Sequence, residues 1–271
     1  MKENEFVMAI DQGTTSSRTI LFDHQYSIKS MSQIDLTQYF PSSGWVEHSP
    51  DEIWQSTVET AKQAMRNRDI DASQVTSLGI TNQRETTIIW NKRTSKPIYN
   101  AIVWQDRRTS DYCNAMKTQG LEKTITEKSG LLLDPYFSAS KIAWILDNVD
   151  GARSAAKNGE LAFGNVDSWL IWNLTSGERH LTDITNASRT MLFNIARQDW
   201  DYELLDMFEI PDTMLPEVKD CSYEFGITTP SLFSSPISIC GVAGDQQAAA
   251  LGQACFAPGM LKATYGTGGF A

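Results

Sequence analysis

The segment IDQGTTSSR, residues 10–18, brings one carboxylate, one glycine, four hydroxyls and one guanidinium together within a single stretch of chain. Gly13 suits a tight turn whose backbone approaches a ligand closely, and the N–H groups after it can gather around an anion. Thr14, Thr15 and Ser16 add hydroxyl donors, and Arg18 can fork onto phosphate oxygens. Asp11 fits that set only with a cation between carboxylate and phosphate, so the pattern predicts Mg²⁺ reached through water. Without Asp11 and Arg18 the same residues are an ordinary polar turn. The segment is not a Walker A loop, because G-x-x-x-x-G-K-[ST] occurs nowhere in the chain.

GVAGDQQAA, residues 241–249, puts small residues before Asp245, which is placed as the N-cap of a following helix. The helix dipole there favours the ionised carboxylate, a weak base. A weak base suffices for phosphoryl transfer, whose loose transition state asks for alignment of the nucleophile more than for early deprotonation. TNQRETTIIW, residues 81–90, offers Arg84 as a donor fork and Glu85 as an acceptor, a pair suited to neighbouring hydroxyls. On a regular strand these two side chains face opposite ways, so their joint use requires irregular backbone. Taken alone, Asp245 is a helix cap and Arg84 with Glu85 a solvated pair. Trp104, Tyr136 and Phe270 are candidate walls of a small pocket, although most of the eight Trp belong to the core. Arg107 and Arg108 read as a solvated pair or an interface contact, and the three His have no metal-ligand spacing.

These residues need elements to hold them. Apolar runs at 6–10 and 19–22 flank the first segment and predict a hairpin, with a third strand over 27–38. SPDEIW predicts a helix with Ser49 as N-cap, Pro50 at its first position and Glu52 completing a capping box. Its apolar face is Ile53, Trp54, Val58, Ala61 and Met65. Short strands follow at 75–81, 86–90 and 100–104, then helical patterns from about 109 to 175, then loops and short strands over 211–238. A buried strand at 237–244 feeds the helix 245–254, and the last residues begin a new strand and turn. The order is mixed α/β.

The chain has 271 residues and a net charge of −10, with 41% hydrophobic residues, a globular composition that suits one large domain or two modest ones. That charge argues against a nucleic-acid partner, but not against a nucleotide, which needs only a few local donors. Four widely spaced Cys give neither a disulfide framework nor a zinc site. No apolar run is long enough for a membrane span or a signal peptide, and a cytoplasmic setting is expected.

The segments AIDQGTTSSR, GWVEH, ITNQRETTIIWN, PIYNAIVWQ, LLLDPYFSASKIAWILDN, TNASRTMLFN, AGDQQAA and TYGTGGF together resemble the N-terminal half of the FGGY carbohydrate kinases. NQRETT and AGDQQAA resemble the members that act on glycerol rather than on sugars. The resemblance implies a ribonuclease-H-like (actin-like ATPase) α/β domain with a mixed sheet and flanking helices, with residues 1–254 the substrate-binding domain and 255–271 the start of an ATP-binding one. It implies ATP and Mg²⁺ as cofactors and phosphorylation of glycerol as the reaction, with Asp245 as base. Arg84, Glu85, Tyr136 and Gln246 would hold hydroxyls, and Trp104 and Phe270 would flank the carbon chain. Thr14, Thr15, Ser16 and Arg18 would meet the ATP phosphates, Asp11 the Mg²⁺ shell and Thr267 the ADP side. It further implies a homo-oligomer at full length and no membrane insertion. Members are about twice as long, so a non-catalytic polyol-binding fragment, or a kinase for another polyol or sugar, stays open. An actin- or chaperone-type ATPase shares the first hairpin but not NQRET or GDQQAA. The loop 226–238 carries neither a phosphorylatable histidine nor an arginine-bearing inhibitor loop.

Overall fold

A computed structural model describes residue 2 and residues 4–271. Its main sheet has six strands: β1 (Phe6–Gln12), β2 (Ser16–Phe22), β3 (Ile28–Asp35), β4 (Val75–Asn82), β5 (Ser222–Ile227) and β6 (Ser238–Gly244). Their spatial order is β5-β6-β4-β1-β2-β3. The first three strands form an antiparallel meander, β4 and β6 run parallel to β1, and β5 is an antiparallel edge. This is the ribonuclease-H-like arrangement, and it answers how three distant motifs meet. In the ladder Gln12 pairs with Asn82, and Asn82 with Gly244. The chain therefore leaves three neighbouring parallel strands at one sheet edge, directly into Gly13, Gln83–Glu85 and Asp245. Ligands in open α/β sheets bind at such carboxyl ends.

Helix α1 (Pro50–Arg66) covers the meander. Ser49 caps it, accepting from the Glu52 N–H at 3.2 Å, and Pro50 opens it. The expected capping box is only half made, because Glu52 Oε1 instead accepts from the Thr37 N–H at 2.8 Å. The buried face also differs from the apolar stripe. Ile53, Ala61 and Met65 are buried, but Trp54 and Val58 only partly, while Ser56, Thr57 and Thr60 are inside. Hydroxyl pairs account for this, with Ser17 bonding Ser56 at 2.8 Å and Thr19 bonding Thr60 at 3.0 Å. Such pairs let a polar strand face approach a helix with Ser56 and Thr60 satisfied, although the Thr57 hydroxyl stays without a partner.

Helices α2 (Ser138–Asn148) and α3 (Val166–Leu174) lie within the expected helical region, but a strand at Leu161–Gly164 divides it. That strand pairs antiparallel with Ile88–Asn91, and the expected strand at 100–104 reduces to Ala101–Ile102. α3 is buried on nearly every side, with Trp169 and Trp172 packed edge-on or tilted against Trp90. Two apolar cores result, one under the main sheet and one around α2. Helix α4 (Asp245–Gly252) follows β6 directly, and Thr264–Tyr265 pairs with Gly269–Phe270 in a final hairpin. Among the described residues no helix is long and apolar enough to cross a membrane. All four Cys are free.

Candidate active site

Arg84 and Glu85 leave β4 in an irregular turn. Glu85 has φ of +60°, a left-handed conformation that costs a non-glycine residue on the order of 1 kcal/mol or more. The kink meets the requirement that strand geometry would have refused: both side chains line one cavity of about 140 Å³. Pockets for drug-sized ligands run to roughly 300–1,000 Å³, so this space suits a ligand of a few carbon atoms.

Asp245 forms one wall. It is the first residue of α4, not its N-cap, which is Gly244, and its side chain is 36% exposed, so a solute can reach it. Arg84 Nε lies 3.2 Å from Asp245 Oδ1 and 4.0 Å from Glu85 Oε1. The Nε–H is not aligned with either oxygen and stays a buried donor without a partner. A buried unpaired donor costs about 1–3 kcal/mol, which a ligand hydroxyl would recover. Gly244 makes the arrangement possible, since a Cβ there would stand 2.6 Å from Arg84 Cδ.

Glu85 is almost fully buried and accepts from Arg189 Nε at 2.7 Å. Burial pushes its carboxyl above the ordinary value, against the pull of Arg84, Arg189 and Lys141. Trp104, Tyr136 and Phe270 form the opposite wall, with ring centroids 5.6 Å apart for Trp104–Tyr136 and 5.9 Å for Trp104–Phe270, both edge-on. Burial, then the Glu85 charge, push the Tyr136 hydroxyl up to about 12, so it stays a neutral donor. Gln246 and Thr267 also line the cavity, and Lys262 donates to the Gln246 side-chain oxygen.

The hairpin residues divide. Thr14 lines the cavity and its Oγ1 accepts from Trp104 Nε1 at 2.8 Å. Asp11, Thr15, Ser16 and Arg18 lie outside the lining; Thr15 is exposed, whereas Ser16 opens β2 and is buried. Arg18 sits 3.7 Å from Asp11 and also donates to Gln33. The turn is tight, with the Gly13 N–H donating to Ser16 O at 2.9 Å, but Gly13 does not use left-handed backbone. A Cβ there would sit 3.4 Å from Ser16 O, an ordinary contact, so neither φ nor space in this turn demands glycine. Burial raises the Asp11 carboxyl, Arg18 lowers it and the Asp245 charge raises it again. Among the described residues no three His, Cys, Asp or Glu side chains converge on a metal position. Mg²⁺ seldom needs such a cage, being held by one or two carboxylates, substrate phosphates and water, a demand that a single carboxylate such as Asp11 can meet.

Two residues carry more than the sequence suggested. Arg189 lay in TNASRT with no role attached, because nothing local announces a partner 104 positions away. Lys141 is fully buried, donates to the carbonyls of Tyr136 and Phe137, and is pushed down to about 8 by burial. Arg108 is a correction to the expected solvated pair. Its side chain has no exposure and is held by Glu47 at 2.7 Å and Asp106 at 2.8 Å, between the rings of Trp45 and Trp144. Arg107 is half-exposed, as expected.

Residues 6–252 match the profile described as the N-terminal domain of the FGGY family of carbohydrate kinases. The chain is 58% identical over 266 residues to the glycerol kinase of Rhizobium meliloti (strain 1021), covering 98% of this chain and 54% of that protein. It is 55% identical to the glycerol kinase of Brucella ovis, at 98% and 53% coverage. It spans about half the length of the curated relatives it matches. Among solved structures, the glycerol kinase of Plasmodium falciparum with ADP superposes with a TM-score of 0.91 at 36% identity, covering 98% of this chain and 53% of that one. The gluconate kinase of Lactobacillus acidophilus, at 20% identity and a TM-score of 0.80, shares the fold.

Proposed function

Because this chain belongs to the FGGY family of carbohydrate kinases, we propose that it is the substrate-binding half of an enzyme that phosphorylates glycerol with ATP, giving sn-glycerol 3-phosphate. The observation that carries this reading is the convergence of Arg84, Glu85 and Asp245 on one small cavity beside the Gly13 hairpin. The names of the relatives at 55–58% identity support glycerol over a sugar. The sugar-kinase neighbours under 25% identity speak only to fold.

Arg84 and Tyr136 donate to glycerol hydroxyls, Glu85 accepts from them, and Gln246 donates through its side-chain NH₂. Hydrogen bonds to charged groups are worth about 1.5–3 kcal/mol each, enough to reject a deoxy analogue. Trp104 and Phe270 cover the carbon chain and exclude water from one side. Asp245 orients the terminal hydroxyl and takes its proton on a carboxylate oxygen. The bond from that hydroxyl oxygen to the γ-phosphorus forms as the bond to the β,γ-bridging oxygen breaks, and ADP leaves. Thr14, Thr15, Ser16 and Arg18, with Thr267 across the cavity, face the ATP phosphates in this reading. Asp11 would hold Mg²⁺ through water, and the ion would neutralise charge on those phosphates. Residues 255–271 begin the ATP-binding domain, and the complete protein is cytoplasmic and homo-oligomeric.

The test uses a two-domain protein containing this chain. Asp245→Asn removes glycerol-dependent ADP release by at least about a hundredfold, within the range general base catalysis supplies, yet keeps glycerol binding by calorimetry. Turnover close to the unsubstituted protein would refute Asp245 as base. Turnover on xylulose or gluconate but not glycerol would refute the substrate.

A further inference from the structure

Outside the cavity, the turn from Asp183 to Arg189 touches the backbone behind both of its carboxylates. Asp183 is fully buried and caps the short helix Ile184–Ala187, accepting from the N–H groups of Thr185 and Asn186. The Thr185 hydroxyl donates to Asp183 Oδ2 at 2.5 Å, which commits its only proton and leaves its oxygen as an acceptor. That oxygen accepts the Gly244 N–H at 2.8 Å, one residue before Asp245. Asn186 and Asn82 exchange two buried side-chain bonds of 3.0 Å each, fastening the same turn to the end of β4, two residues before Arg84. Arg189 then holds Glu85 at 2.7 Å, with its guanidinium 4.9 Å over the Phe137 ring.

We propose that Thr185 and Arg189 are positioning residues, and that the turn carrying them fixes the spacing between Glu85, which receives a substrate hydroxyl, and Asp245, which receives the proton. Neither residue lines the cavity. Thr185 acts on the base through Gly244, and Arg189 acts on the hydroxyl acceptor through Glu85. The separate attachment points give the two residues different kinetic signatures. An ångström of displacement at a reacting group costs on the order of a hundredfold in rate, so loss of the Gly244 tether acts on kcat. Loss of the Arg189 contact loosens a ligand-binding carboxylate, so it acts on glycerol KM. The kinetic part of this inference rests on the glycerol kinase reading above.

The experiment again uses the two-domain protein. Thr185→Val lowers kcat about tenfold or more with glycerol KM within about threefold, and Thr185→Ser, which keeps the acceptor, restores kcat. Arg189→Gln raises glycerol KM about tenfold with kcat within about threefold. Wild-type constants in Thr185→Val and Arg189→Gln, or equal loss of kcat and KM with no rescue by Thr185→Ser, overturn the inference. Amide exchange of residues 241–247 is read in parallel and needs no substrate. Thr185→Val exposes the Gly244 N–H to exchange and Thr185→Ser keeps it protected. Unchanged protection in Thr185→Val overturns the tether even if glycerol is not the substrate, whereas lost protection with no glycerol turnover in the parent overturns only the kinase reading.

Discussion

Trp104 Nε1 donates to Thr14 Oγ1 at 2.8 Å, so a wall of the small cavity is fastened to the Gly13 hairpin. The link closes a polar circuit. The backbone N–H of Trp104 donates to Thr86 Oγ1, that hydroxyl donates to Gln83 Oε1, and Gln83 Nε2 donates back to Gly13 O. The cavity wall and the Gly13 hairpin thus share one partly buried network, in which displacement of one member is felt by the others.

Thr14→Val keeps the shape and removes the acceptor. The indole N–H then loses its partner, at a cost of about 1–3 kcal/mol. Glycerol affinity measured by calorimetry is expected to fall at least about fivefold, the lower end of that range. Thr14→Ser is expected to restore it. Equal affinity in Thr14→Val would show that the bond does not position the ring.

Glu85 gives the site a pH dependence. Burial raises its carboxyl above the ordinary 4.5, so on acidification it takes up a proton earlier than a surface glutamate does. The ionised form accepts from Arg189 and, in the proposed complex, from a glycerol hydroxyl, and protonation weakens that acceptance. Glycerol affinity is therefore expected to fall as pH drops toward and through a value above 4.5. Glu85→Gln should bind weakly at every pH, with a flat profile. Affinity that is constant down to pH 4.5 would contradict the assignment.

The fold was legible because apolar runs, turn residues and caps act locally: the β1–β2 hairpin, the Ser49 cap and the β6–α4 junction all follow from neighbours in sequence. The kink at Arg84–Glu85 was legible as a demand, since two cooperating side chains cannot share a face on a straight strand. What escaped depends on partners far along the chain. Glu52 leaves its capping box for Thr37, and Ser56 and Thr60 enter the core because hydroxyls on β2 await them. No periodicity distinguishes Arg107 from Arg108, yet only the second meets two carboxylates and two indole rings.

Arg108 is expected to matter for stability rather than chemistry. Its guanidinium bonds Glu47 and Asp106, both buried, and joins the loop at Trp45 to the one that carries Trp104. Arg108→Leu leaves two buried carboxylates facing each other, a loss of about 3–5 kcal/mol. Arg108→Lys keeps the charge without the planar fork and should recover only part of it. Denaturant unfolding checks both, and a lysine variant as stable as the parent would show that charge alone suffices.

Asp167 makes stability fall as pH rises. Its carboxyl has no exposure; Oδ2 accepts from Thr182 Oγ1 at 2.6 Å, while Oδ1 has no partner. Burial, with the Asp183 charge second, pushes it up to about 7 from 3.8. Between those values the folded chain holds a proton that the unfolded chain has released, so the folded state is favoured less with each step up in pH. The contribution is complete below 3.8 and is lost as pH passes 7. Asp167→Asn keeps an acceptor for Thr182 and cannot ionise. Melting curves of the two proteins should therefore diverge from pH 5 to pH 8.5, with the asparagine variant gaining on the parent at the alkaline end. At about 2–4 °C per kcal/mol for domains approaching this size, a gap of several degrees is expected. Parallel curves would mean that Asp167 is already ionised at pH 5 and that a group nearby compensates its charge.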